Sequence, residues 1–184
     1  MGTWTALTSA PFTFAKGGNG CYGGGYVYAM AGGNKPDFGR YSIDAGAWEP
    51  LTPIPGGTSG KNPKGGGDMV YVVLNDTGYV YLLKGGKQDF MRYNTVSGAW
   101  EQLPDAPAGS KAKWDKGSWI IARPMPPDTT GDWYQIYSHK AKLAEMWVFN
   151  TRTGEWSTSP LQGIPSSSQK TGKNKKSKDG SDGA

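Results

Sequence analysis

Apolar positions along the chain fall in short runs that alternate or continue unbroken, and nowhere at the three-and-four spacing of an amphipathic helix. GYVYAMAGG (25–33), KGGGDMVYVVL (64–74), GYVYLLKGG (78–86) and DWYQIYSHK (132–140) are rich in Val, Tyr, Leu and Ile. Such runs are strands. The segments between them end in Gly, as expected where φ must be positive: NDTG (75–78) and DTTG (128–131) in one class, IDAG (43–46), TVSG (95–98) and TRTG (151–154) in another. The pattern predicts an all-β chain.

Laid on itself, the chain repeats. DFGRYSIDAGAW (37–48), DFMRYNTVSGAW (89–100) and EMWVFNTRTGEW (145–156) share a leading acid, an aromatic four positions later, a Gly two before Trp, and the Trp itself. KGGNGCY (16–22), KGGGDMVYVVL (64–74) and KGSWIIA (116–122) precede the units, and WEPLTPIP (48–55), WEQLPDAP (100–107) and WSTSPLQGIP (156–165) close them. An orphan copy of the closing element, WTALTSAP (4–11), stands at the start, so Trp4, Trp48, Trp100 and Trp156 are separated by 44, 52 and 56 residues. Four short strands, A to D, in roughly 50 residues is the content of a propeller blade. The predicted divisions are an orphan outer strand (1–15), three blades (16–55, 56–107 and 108–165) and a Lys/Ser/Gly-rich tail (166–184).

The Gly pairs closing strand B (Gly32 and Gly33, Gly85 and Gly86), the strand C aromatics (Tyr41, Tyr93, Phe149) and the Trp after a short turn resemble the Kelch repeat. The resemblance covers residues 4 to about 160 and is similar to divergent Kelch-like arrays of bacterial surface proteins. In the third unit Ser138 and His139 stand where the pair is expected. The resemblance implies a β-propeller-type fold, a binding rather than catalytic role, and a secreted or cell-surface location. Closed propellers have about four to eight blades. With three here, the orphan strand is expected to pair with strand C of the third blade of another copy, displacing its own strand D. That makes the chain a self-assembling scaffold, a six-bladed homodimer or a larger ring or filament, with a monomeric arc or a fragment of a larger propeller as the alternative.

Composition narrows the chemistry. No run approaches the length of a membrane span, and Met1–Thr13 lacks the marks of a secretory signal. Net charge is +5, but the tail carries five lysines against Asp179 and Asp182, leaving the body +2; the tail is predicted to be a solvated terminus or linker. Cys21 is alone, which excludes an internal disulfide and reads as a small buried hydrophobe. His139 is the only histidine, which excludes a multi-histidine metal site and the copper centre of Kelch-type oxidases. The Gly clusters match no phosphate-binding spacing and read as close packing between blades. Asp37, Asp89 and Glu145 read as strand-start acids that accept backbone hydrogen bonds in the B–C turn, and the repeated tryptophans as packing. No cofactor is implied, and the chain is read as a non-enzyme.

Lysine carries the binding signal. Alternating strands place the B–C and D–A connections on one face, and all eleven body lysines fall there, whereas the opposite turns carry Asp44, Asp76, Asp128 and Glu155. The candidate binding residues are Lys35, Lys61, Lys64, Lys87, Lys111, Lys113, Lys116, Lys140 and Lys142, with Trp114 as a stacking anchor. Such a face attracts an acidic protein or an anionic polysaccharide. A carbohydrate-binding, lectin-like or carbohydrate-active propeller is the alternative. The scarcity of Arg and the lack of a known module argue against nucleic acid.

Overall fold

In the structure, a computed structural model, residues 2–128, 131–143 and 145–162 are described. The expectation for the 166–184 tail lies outside them. Three four-stranded antiparallel sheets, each a meander, pack face to face. The first holds β1 (Asn19–Gly23), β2 (Tyr26–Met30), β3 (Phe38–Ser42) and β4 (Ala47–Pro50). The second holds β5 (Asp68–Leu74), β6 (Thr77–Leu83), β7 (Phe90–Asn94) and β8 (Trp100–Gln102). The third holds β9 (Trp119–Asp128), β10 (Gly131–Lys140), β11 (Glu145–Asn150) and β12 (Glu155–Trp156), with β13 (Leu161–Gln162) also pairing β11. No helix among the described residues is long and apolar enough to cross a membrane.

The first strands converge, β1 lying against β5 and β5 against β9. The middle sheet is therefore covered on both faces. That explains why Val80, Tyr81, Leu82 and Leu83 are all fully buried and why β6 reads as an unbroken apolar run. One core joins Tyr28, Met30, Phe38 and Ile54 to Met69, Val80, Leu82, Met91 and Tyr93. The other joins Val72, Tyr81, Leu83, Phe90 and Ala106 to Trp114, Ile120, Ile136, Trp147 and Phe149.

The repeated tryptophans stitch sheet to sheet. Trp100 packs on its own strand's neighbour Tyr93 (5.2 Å) and on Phe38 of the preceding sheet (5.0 Å). Trp156 does the same with Phe149 (5.3 Å) and Phe90 (4.9 Å). Their indole N–H groups donate to the preceding linker, Trp100 to Thr52 O and Trp156 to Pro104 O, both at 2.9 Å. Trp48 obeys the same rule against the chain's start, donating to Thr8 O (2.9 Å) and packing on Phe12 (6.1 Å). Residues 4–11 form no strand within the chain.

The register of the third unit differs from the one expected. Ile136 pairs with Phe149 as Val80 pairs with Tyr93, so the positions of Gly85 and Gly86 are held by Ala141 and Lys142 rather than by Ser138 and His139. Lys142 adopts φ +67°, close to the +71° of Gly86 and the +63° of Gly33. The cause is the longer β9–β10 hairpin, ten residues per strand with an irregularity between Gly131 and Trp133, which defeats counting from the strand's start.

Candidate functional site

The connections that enter the first strands of the three sheets meet at one end of the molecule. Two glycines permit the approach. A Cβ on Gly17 (φ +84°) would lie 2.4 Å from Lys64 O, and one on Gly66 (φ +96°) 2.4 Å from Asp115 O. Each loop is then pinned to its neighbour. Asn34 N–H donates to Pro63 O (2.9 Å), Asn62 Nδ2 to Asn34 O (3.0 Å) and Gly86 N–H to Trp114 O (2.7 Å). Gly86 thus spends its backbone donor inside the protein.

Between the joints opens a cleft of about 290 Å³, lined by Lys16, Gly33, Asn34, Lys64, Gly65, Gly86, Lys113, Asp115 and Lys116. Its wall combines four ammonium-bearing chains from all three repeats with glycine backbone. Asp115 accepts from Lys142 Nζ and from the Lys116 backbone N–H (2.9 Å), and pairs with Lys113 Nζ (3.3 Å). The Lys142 ammonium, with help from Lys116 N–H and Lys113, holds its carboxyl well below the ordinary carboxylate range. Asp115 is thus an ionised anchor that fixes two lysines, and the cleft stays net positive.

Of the residues singled out by sequence, Lys64, Lys113 and Lys116 line the cleft and Lys142 joins it through Asp115. Lys35, Lys61, Lys87 and Lys111 are exposed on the same set of connections without lining it. Trp114 and Lys140 are corrected: both are fully buried. Trp114 donates through Nε1 to Pro107 O (3.2 Å) and lies 4.9 Å from the Lys140 ammonium, inside the core between the second and third sheets. Lys140 Nζ donates to Pro107 O (3.2 Å) and Ala108 O. Burial pushes its pKa down to about 8. In the preceding repeat Lys84, also fully buried, reaches Pro55 O and Gly56 O in the same way and pairs with Asp89 at 3.3 Å. Both lysines are staples for the linker between sheets.

The strand-start acids serve that linker as well. Asp89 accepts from Ser59 N–H (2.9 Å) and Ser59 Oγ, and Glu145 from Ser110 N–H (3.2 Å) and Oγ, so they tie down the preceding D–A connection instead of their own B–C turn. Lys16, Asn34 and Asp115 are the cleft side chains that sequence did not select. Asn34 follows a Gly pair at φ +68°, a conformation Asn tolerates, and that offset was the available signal.

A second cavity, about 320 Å³, runs along β1, β5 and β9 and includes Cys21 and Asp68. Asp68 accepts from Met69 N–H (2.9 Å) and, across the sheets, from Ile120 N–H (2.7 Å). Burial first, and Asp68 second, push the Cys21 thiol up to about 12. His139 is buried, stacks on Trp119 at 5.4 Å, and has its pKa lowered by burial. No cluster of three or more His, Cys, Asp or Glu among the described residues is placed to hold a metal ion.

No protein-family model matches the chain, and no curated protein matches it. Among solved structures, an auxiliary nutrient binding protein from Bacteroides thetaiotaomicron matches at 14% identity and a TM-score of 0.47, over 83% of this chain and 38% of that one. The structure of YjhT matches at 15% identity and a TM-score of 0.54, over 90% of this chain. That likeness is one of fold, and the chain spans about half, 54%, of the length of YjhT.

Proposed function

We propose that the chain is a non-catalytic binding module, three Kelch-like blades of a β-propeller, whose loop-face cleft takes an acidic saccharide such as a uronic-acid oligomer. The observation that carries this reading is the convergence of Lys16, Lys64, Lys113 and Lys116, drawn from three repeats, on one concavity of about 290 Å³. That volume suits one or two sugar rings. The carboxylate of a uronate meets the ammonium groups, while the ring lies along lysine stems and glycine backbone, surfaces that favour a flat, partly apolar body. The titratable groups of the cleft are these lysines and Asp115, and the carboxylate is engaged by Lys113 and Lys142.

Isothermal titration with a uronic-acid trisaccharide, beside its neutral counterpart, tests the proposal. The acidic sugar binds and weakens with added salt. Lys64→Ala or Lys116→Ala loses about tenfold in affinity, the worth of one charge-assisted contact. Equal binding of the neutral sugar, or affinity unmoved by either substitution, would overturn it.

A further inference from the structure

Thr8 O and Phe12 give Trp48 what Thr52 O and Phe38 give Trp100, so residues 4–12 stand in for the closing segment of a preceding sheet. The other edge of that segment is uncovered among the described residues. Trp4 is fully exposed and Leu7 is 67% exposed, whereas their repeat equivalents Trp48, Leu51, Trp100 and Leu103 are all at least half-buried.

The third sheet is open in a complementary way. Among the described residues its fourth position is filled by two-residue β12 and two-residue β13, out of register with each other across Ser157–Pro160, where β4 pairs four consecutive residues with β3. On its outward face Tyr137 and Met146 are partly buried, while their equivalents Tyr81 and Phe90 are fully buried by a following sheet. The aromatic offered to the next tryptophan by the first two sheets, Phe38 and then Phe90, is replaced by Met146 in the third, and Phe12 supplies the missing ring to Trp48.

We propose that residues 4–11 of one copy replace β12 and β13 on β11 of a second copy, and reciprocally, closing a two-fold dimer. By repeat position, Trp4 takes the place of Trp156 against Phe149 and donates to Pro104 O of the second copy, and Thr5 lies opposite its Val148. A self-complementary exchange of this kind closes on itself and leaves no free strand edge to propagate.

Two measurements test it. Sedimentation equilibrium of the full chain gives a dimer, and Trp4→Ala weakens association by about thirtyfold, the effect of removing a central tryptophan. In a Cys21→Ser background, Thr5→Cys with Val148→Cys forms a covalent dimer on oxidation, because opposed strand positions suit disulfide geometry, and neither single cysteine does. A monomer at all soluble concentrations overturns the proposal. So does a dimer that is indifferent to Trp4→Ala, or one in which the paired cysteines fail to cross-link.

Discussion

Replacing Lys140 with Met keeps most of the side chain's volume and removes the ammonium held between Pro107 O and Ala108 O. The consequence is a pH signature. Burial lowers the Lys140 pKa from 10.5 to about 8, so the folded chain releases a proton that the unfolded chain still holds between those values. Unfolding in that window takes up a proton, and stability therefore rises with pH from about 8 to about 10.5; below 8 both states are charged and the dependence vanishes. The full shift corresponds to about 3 kcal/mol, and solvent screening at the loop end reduces the expected change to about 2 kcal/mol. Cys21 opposes it: with its thiol pushed from 9.0 up to about 12, the folded chain keeps a proton that the unfolded one loses, and stability falls above pH 9. Taking the difference between the parent chain and Lys140→Met cancels that contribution. Urea unfolding of both chains at pH 7, 8, 9 and 10, followed by tryptophan fluorescence, supplies the difference. A rise in favour of the parent is expected, and a flat or falling difference would refute the buried-ammonium reasoning.

Other substitutions probe other joints. Asp89→Asn leaves the Lys84 ammonium buried without its carboxylate and weakens the anchor of Ser59, at a cost of about 3 kcal/mol in urea unfolding; a loss below a few tenths would show the pair to be idle. Gly66→Ala forces a Cβ onto Asp115 O at φ +96° and is expected to destabilise by at least about 2 kcal/mol, with the melting temperature as readout. The Cys21 thiol, held neutral by burial and Asp68, reacts with a thiol reagent at pH 8 far more slowly in the native chain than in urea; equal rates would contradict its placement.

The sheets were legible because the units repeat the same turn chemistry, strand C aromatic and Trp at fixed spacing, and a pattern seen three times overrides the ambiguity of any one strand. What stayed hidden depended on partners far along the chain. Lys84 and Lys140 look like solvent-facing lysines until the carbonyls of Pro55, Gly56, Pro107 and Ala108 are brought to them. Their common position, five residues before Asp89 and Glu145, was the one sequence clue. Trp114 sits among Lys111, Lys113 and Lys116 and so resembles a surface anchor, yet its loop folds over the junction of two sheets and buries it. The cleft lysines were legible as a face but not as a cavity, since the convergence depends on Gly17 and Gly66 letting neighbouring loops touch.

The most direct test of the proposed binding site is lysine protection. Reductive methylation of the full chain, with and without a uronic-acid oligosaccharide, followed by peptide mass spectrometry, reports each ammonium separately. Protection of Lys16, Lys64, Lys113 and Lys116, with Lys35, Lys61, Lys87 and Lys111 methylated as before, is the predicted result. Uniform protection across all eight, or none at the four cleft lysines, would contradict it.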